Sequence, residues 1–315
     1  MDINLAIADR ARAGETLTAA ELDELASADL LSLGMLADEV RRTRVGETVT
    51  YVRVLEWASA GGDRPFLSAE APSAKVEGWS ASKAGEIRIT ALPESLDLTV
   101  AAIASARAQA GKVWLTAFSL ADIIERAWAP LADVLGKLKA AGLDAIVEAP
   151  IDRIANLEDA LQACHDAAIA VGCLSLQQPA GDARTALMIQ LQSIVARFPG
   201  LQTVAPLPRE QSVAVPTTGY DDVKAVAMAR LALPAVRNIQ VDWAQYGPKL
   251  AQVALTFGAN DLDRVSPIDD DTLGRRRMAV EDVKRNIVAA GFTPVERPFD
   301  SQRGGASPLA HSRDL

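Results

Sequence analysis

Three carboxylates are placed where they could do chemistry: Glu148, Asp242 and Asp261, each where a β-rich run gives way to a loop. Paired acids divide acid and base work when their surroundings push their pKa values apart. The same residues in the same places also serve as helix N-caps and turn residues, and Asp261, shortly after Gly258, fits that use equally well. Trp243, Gln245 and Asn260 lie next to these acids and are candidate ligand contacts, a ring for stacking and two carboxamides for hydrogen bonding. The remaining inventory is thin. Two cysteines, Cys164 and Cys173, and two histidines, His165 and His311, are all the chain has. A structural zinc site takes four such ligands, and His311 lies far from the others, so no metal site is expected. Cys164 and His165 are neighbours on a helical run, where adjacent side chains do not face each other. Both cysteines read as buried thiols.

The elements that must position these residues alternate. After a helical beginning, in which Thr18 and Glu21 are spaced as a capping box, β-like segments recur at 48–55, 86–92, 113–118, 144–150, 171–178, 201–208, 237–243 and 260–265. Between them run amphipathic helical stretches such as "PLADVLGKLKAAG". Strand and helix repeated this often predict a parallel sheet with helices outside, and eight units predict a closed (β/α)8 barrel of the α/β class. No G-x-G-x-x-G follows a strand, which disfavours an open dinucleotide-binding sheet. The expected organisation is an N-terminal helical extension over 1–45, the barrel over 46–299 and a disordered tail over 300–315. A barrel keeps its functional residues on the loops after the strands. That rule collects Glu56 and Trp57, Ser119 and Asp122, Glu148, Gln177 and Gln178, Arg209 and Glu210, Asp242 and Gln245, and Asn260, Asp261 and Asp263. The acidic run 269–271 and the basic run 275–277 read as a solvated loop and helix start.

With 49% hydrophobic and 23% charged residues and a net charge of −9, the composition is that of a globular protein. It argues against nucleic acid as a partner. No transmembrane-length apolar run or signal segment is seen, so no membrane association and a cytoplasmic location are expected.

One long stretch is distinctive. "GYDDVKAVAMARLALPAVRNIQVDWAQYGPKLAQVALTFGANDLD", residues 219–263, resembles the C-terminal half of the menaquinone and deazaflavin radical SAM enzymes. That group includes aminofutalosine synthase, dehypoxanthine futalosine cyclase and the F420-pathway synthases. The pattern is carried by Ala229-Arg230-Leu231, Asn238-Ile239, Gly247 through Asp261, and Ala290 through Arg297, and it looks closest to aminofutalosine synthase. Upstream, "LADEVRRTRVGETVTYVR" and "VWLTAFSLADI" are similar to the family's entry helix, first strand and third strand.

The resemblance implies a radical SAM barrel, in which three cysteines of a CxxxCxxC loop after the first strand hold a [4Fe–4S] cluster. Here "VTYVRVLEW" leads into a segment without cysteine. Where the family has Gly-Gly after the second strand this chain has Thr90-Ala91, and where it has a glycine-rich turn after the fourth, this chain has Glu148-Ala149-Pro150. The expectation drawn from these changes is a barrel with no cofactor: no [4Fe–4S] cluster, and S-adenosylmethionine binding in question. It would be a non-catalytic partner or regulator tied to futalosine-route menaquinone synthesis, in a hetero-oligomer with a cluster-bearing radical SAM paralogue. Two other readings stay open: an enzyme using the barrel mouth for acid–base chemistry, and a binder of a small-molecule pathway intermediate.

Overall fold

Three helices bring the chain in, each begun by a side chain that meets its first free amides. Asn4 accepts from the Ala6 amide ahead of α1 (Leu5–Ala13), and Asp29 accepts from Leu31 and Ser32 ahead of α3 (Leu30–Val45). Before α2 (Ala19–Ser27), Thr18 and Glu21 close the reciprocal capping box anticipated from their spacing. The structure, a computed structural model, describes residues 3–57, 84–177, 183–207, 219–267 and 280–297. The segment 58–83, Gln178, Arg209, Glu210, the runs 269–271 and 275–277, and the tail from 300 lie outside the described residues.

Strands β1 (Thr48–Trp57), β2 (Glu86–Ile89), β3 (Trp114–Ser119) and β4 (Ala145–Pro150) are neighbours in order and all parallel. The fifth stave is split into β5 (Ala170–Val171) and β6 (Leu174–Leu176), both paired to β4. The split falls at Gly172, whose amide bonds the Ile146 carbonyl; a Cβ there would lie 2.5 Å from the Val147 carbonyl oxygen. β7 (Thr203–Pro206), β8 (Asn238–Asp242) and β9 (Asp261–Val265) follow, and β9 pairs back to β1 through Thr50 opposite Asp261 and Tyr51 opposite Leu262. The sheet is therefore a closed parallel barrel of eight staves, as the alternation predicted.

Between the strands run α4 (Leu96–Ala110), α5 (Leu120–Arg126), α6 (Leu131–Ala140), α7 (Leu157–Asp166), α8 (Arg184–Arg197), α9 (Gly219–Ala232) and α10 (Trp243–Leu255). After α11 (Val280–Ala289), the late segment expected to resemble its relatives adds a further strand, β10 (Thr293–Glu296). It pairs with β1 from Thr48 to Tyr51, leaving Val54–Trp57 to β2. The core fills the barrel and the layer between sheet and helices, where large side chains such as Tyr51, Ile89, Leu115 and Trp243 are fully or almost fully buried.

The N-terminal helices are held against the barrel by close approach. Gly34 on α3 faces the Phe257 ring, which a Cβ would meet at 2.6 Å. Gly258 adopts a left-handed φ of +106° and lies against the Arg230 side chain and Ala37. No helix among the described residues is long and apolar enough to cross a membrane.

Candidate functional site

A cavity of about 1110 Å³ opens among residues that close the strands at their C-terminal ends. Its charged wall starts from period-two alternation in β2. Glu86 and Arg88 are two residues apart, so both face the barrel interior, and both are buried. Arg88 donates Nε to Glu86 at 2.8 Å and grips Asp263 of β9 with two parallel bonds of 2.7 and 3.0 Å. Glu86 also accepts from Thr116 at 2.5 Å. Desolvation pushes Asp263 up, but the guanidinium outweighs it and holds this carboxyl below its usual range; Glu86, desolvated and near Asp263, ends above its own.

A second ion pair stands beside the first. Arg264, the residue before the end of β9, takes a left-handed conformation, φ +57°, uncommon for a side chain of this size. Its guanidinium reaches Glu56 at the end of β1, with Nε at 2.7 Å, and Asp242 at the end of β8, at 3.1 Å. The other oxygen of Asp242 accepts the Gln245 amide at 2.9 Å and so caps α10. Burial raises the Asp242 carboxyl despite Arg264. Glu148, in the second half of β4, also lines the cavity. It accepts from Gln177 Nε2 at 2.5 Å, and burial raises its carboxyl too. Gln177 Oε1 in turn accepts from Arg153, which is tied to Asp122 and Glu125 at the rim.

The structure thus gathers Glu148, Asp242 and Gln245 at one cavity. It places the other three candidates elsewhere. Asp261, the first residue of β9, is fully buried at the opposite end of that strand, where Arg297 binds both its oxygens at 2.7 Å and Thr50 and Gln240 donate as well. Asn260 accepts from Arg230 at 2.6 Å and from the Ile239 amide at 2.9 Å. Trp243 is entirely buried, its indole N–H without a partner. Reading the loops passed over Arg88 and Arg264. Arg88 was legible as a charge two residues from Glu86 in a β-run, the mark of an inward-facing barrel pair; nothing in the sequence marks the backbone turn at Arg264.

Residues 197–303 match the family described as the CofH/MqnC C-terminal region. Among curated relatives, this chain is 27% identical to a 5-amino-6-(D-ribitylamino)uracil–L-tyrosine 4-hydroxyphenyl transferase of Methanosarcina barkeri, over 83% of this chain and 84% of that one. It is also 27% identical to the transferase of that name from Archaeoglobus fulgidus, over 83% and 90%. In fold it is similar to methylornithine synthase, with TM-score 0.68 and 15% identity over 92% of this chain and 97% of that one. The hydrogenase maturase HydG gives TM-score 0.64 and 15% identity over 92% and 74%.

These findings correct two expectations. A non-catalytic partner or regulator was expected from the missing cysteine motif, but relatives spanning most of the chain bear the name of a transferase, which points to a catalytic role. The expectation of no cofactor falls with it, because the radical SAM enzymes that this chain resembles use a [4Fe–4S] cluster and S-adenosylmethionine. The futalosine and menaquinone assignment finds no support in these relatives either.

The donor set of this chain is nevertheless not the one the family uses. Cys164, buried on α7, has its thiol pushed up to about 12, and Cys173, between β5 and β6, is also raised, by burial and by Glu148. Two thiols, one on a helix and one on the fifth stave, both held protonated, do not supply three thiolates. Among the described residues no group of three His, Cys, Asp or Glu side chains is placed to hold a metal ion. The side chains present do not fit the cluster. Along its C-terminal region and across most of its length, this chain is similar to a radical SAM family of the F420 pathway.

Proposed function

We propose that this chain is an enzyme whose barrel mouth takes substrates of the class named for its relatives, a ribitylaminopyrimidine and an aromatic amino acid. The observation that supports this most is the cavity itself. It is large enough for a substrate of that size and joins two guanidinium–carboxylate pairs to a raised carboxyl within one mouth. Arg88 and Arg264 present N–H groups to ring carbonyls or a carboxylate. Asp242 and Asp263 accept from exocyclic amines. Glu148, whose carboxyl burial holds above its ordinary range, is the cavity group suited to hold and deliver a proton.

Thermal unfolding with added 5-amino-6-(D-ribitylamino)uracil or L-tyrosine tests the reading. At ~100-fold excess over Kd, a true ligand stabilises the protein by about 2.7 kcal/mol. Asp242→Asn and Arg88→Met are expected to remove most of that gain. A protein indifferent to both compounds would overturn the proposal. A complex with a cluster-bearing radical SAM paralogue is proposed alongside, favoured by the two-cysteine donor set. Co-elution of such a paralogue in near-equal amount from native extract would support it, and recovery of this chain alone would refute it.

A further inference from the structure

Ser119 occupies a position where serine ordinarily has a structural duty. It is the last residue of β3 and the N-cap of α5, yet its hydroxyl makes no capping bond. The side chain is buried, its Oγ has no hydrogen-bond partner, and the residue lines the cavity. It follows Phe118, whose φ of +58° is strained for an aromatic residue and recurs in the cavity wall at Arg264. A buried hydroxyl left unbonded at a strained strand end is an unfilled hydrogen-bonding position.

Its neighbours extend the pattern. Across the sheet Ser119 pairs with Glu148, whose carboxyl accepts from Gln177 and has no ion-pair partner among the described residues. Ser175 on β6 places a buried hydroxyl beside that carboxyl. The cavity is therefore two-sided. β2, β8 and β9 supply guanidinium–carboxylate pairs, whereas β3, β4, β6 and the residue after β6 supply hydroxyls, a carboxyl without an ion-pair partner and a carboxamide, with the Arg153–Asp122 pair above them at the rim.

We propose that Ser119, with Glu148 and Gln177, binds the hydroxyl-bearing chain of a polyol-substituted substrate, whose ring faces Arg88 and Arg264. Each hydroxyl of such a chain both donates and accepts, which suits a wall that mixes donors with acceptors. This assignment rests on the substrate class proposed above and adds to it the direction in which the substrate lies.

The test compares three probes on the full chain by calorimetry: 5-amino-6-(D-ribitylamino)uracil, 5,6-diaminouracil, which lacks the chain, and ribitol, which lacks the ring. Ser119→Ala is expected to weaken the ribityl compound about tenfold, to leave diaminouracil unchanged, and not to lower the melting temperature of the ligand-free protein. Ser119→Thr, which keeps the hydroxyl, is expected to retain binding. Equal loss for both pyrimidines, no loss for either, or a lowered melting temperature would overturn the inference. Binding of ribitol that requires Ser119, with neither pyrimidine bound, would uphold the polyol wall and overturn the substrate class. Failure of all three probes to bind would overturn both.

Discussion

The carboxyl of Glu148 is the residue on which pH is expected to act most directly. Its folded pKa lies above its unfolded value, so between the two the folded state binds more protons, and stability falls as pH rises through that window. Glu148→Gln keeps the shape and removes the charge. We expect the variant to lose this slope and to equal or exceed the parent in stability at neutral pH, checked by urea unfolding at pH 5 and pH 8. Asp263 has the opposite sign: its depressed carboxyl contributes stability that disappears as pH falls through its folded pKa. Arg88→Met leaves Glu86 and Asp263 buried without their shared cation, a loss expected to cost about 3–5 kcal/mol in the same measurement. Part of this site was legible beforehand. Glu148, Asp242 and Gln245 stood where strands end, and the barrel rule collected them. Asp261 and Asn260 are set apart by direction along one strand: the first and fourth residues of a strand stand about 10 Å apart, so Asp261, at the start of β9, is at the floor and Arg264 is at the mouth.

At the scale of elements, one glycine and one cap carry checkable consequences. Thr18→Ala removes a capping box and is expected to cost about 1 kcal/mol, measured by denaturant midpoint; Ser119→Ala, at an N-cap that does not cap, is the contrasting case. Gly172→Ala pushes a methyl group against the Val147 carbonyl, where backbone rather than a flexible side chain must yield. It is expected to cost about 1–3 kcal/mol and, because Val147 precedes Glu148, to weaken ligand binding as well. The strands themselves were readable from β-branched runs between helical stretches, and so was the barrel. Less readable was the division of the fifth stave at Gly172 and Cys173, which depends on how closely β4 passes. The strand β10 resembles any short polar run until β1 is there to pair with it. The motif that carried the family resemblance is largely scaffold. Arg230, fully buried and pushed down to about 9 by desolvation, bonds the Gly258 and Arg237 carbonyls and Asn260, tying α9 to the approach to β9.

For the whole molecule, closure depends on residues far apart in sequence. Thr50 meets Asp261 across 211 positions, and Arg297 then locks that carboxylate with two bonds of 2.7 Å. Arg297→Met is expected to lower stability by about 3–5 kcal/mol, since it strands a buried acid, and a shift in guanidinium midpoint would show it. The pairing has a further consequence, which concerns birth rather than equilibrium. A ribosome adds roughly 5–20 residues per second, so β1 leaves the exit tunnel on the order of ten seconds or more before either strand that flanks its first half exists. Through that interval Val49, Tyr51 and Val52, all buried in the finished barrel, have no sheet to join, and the nascent chain must be kept from pairing with its neighbours until its last strands are made.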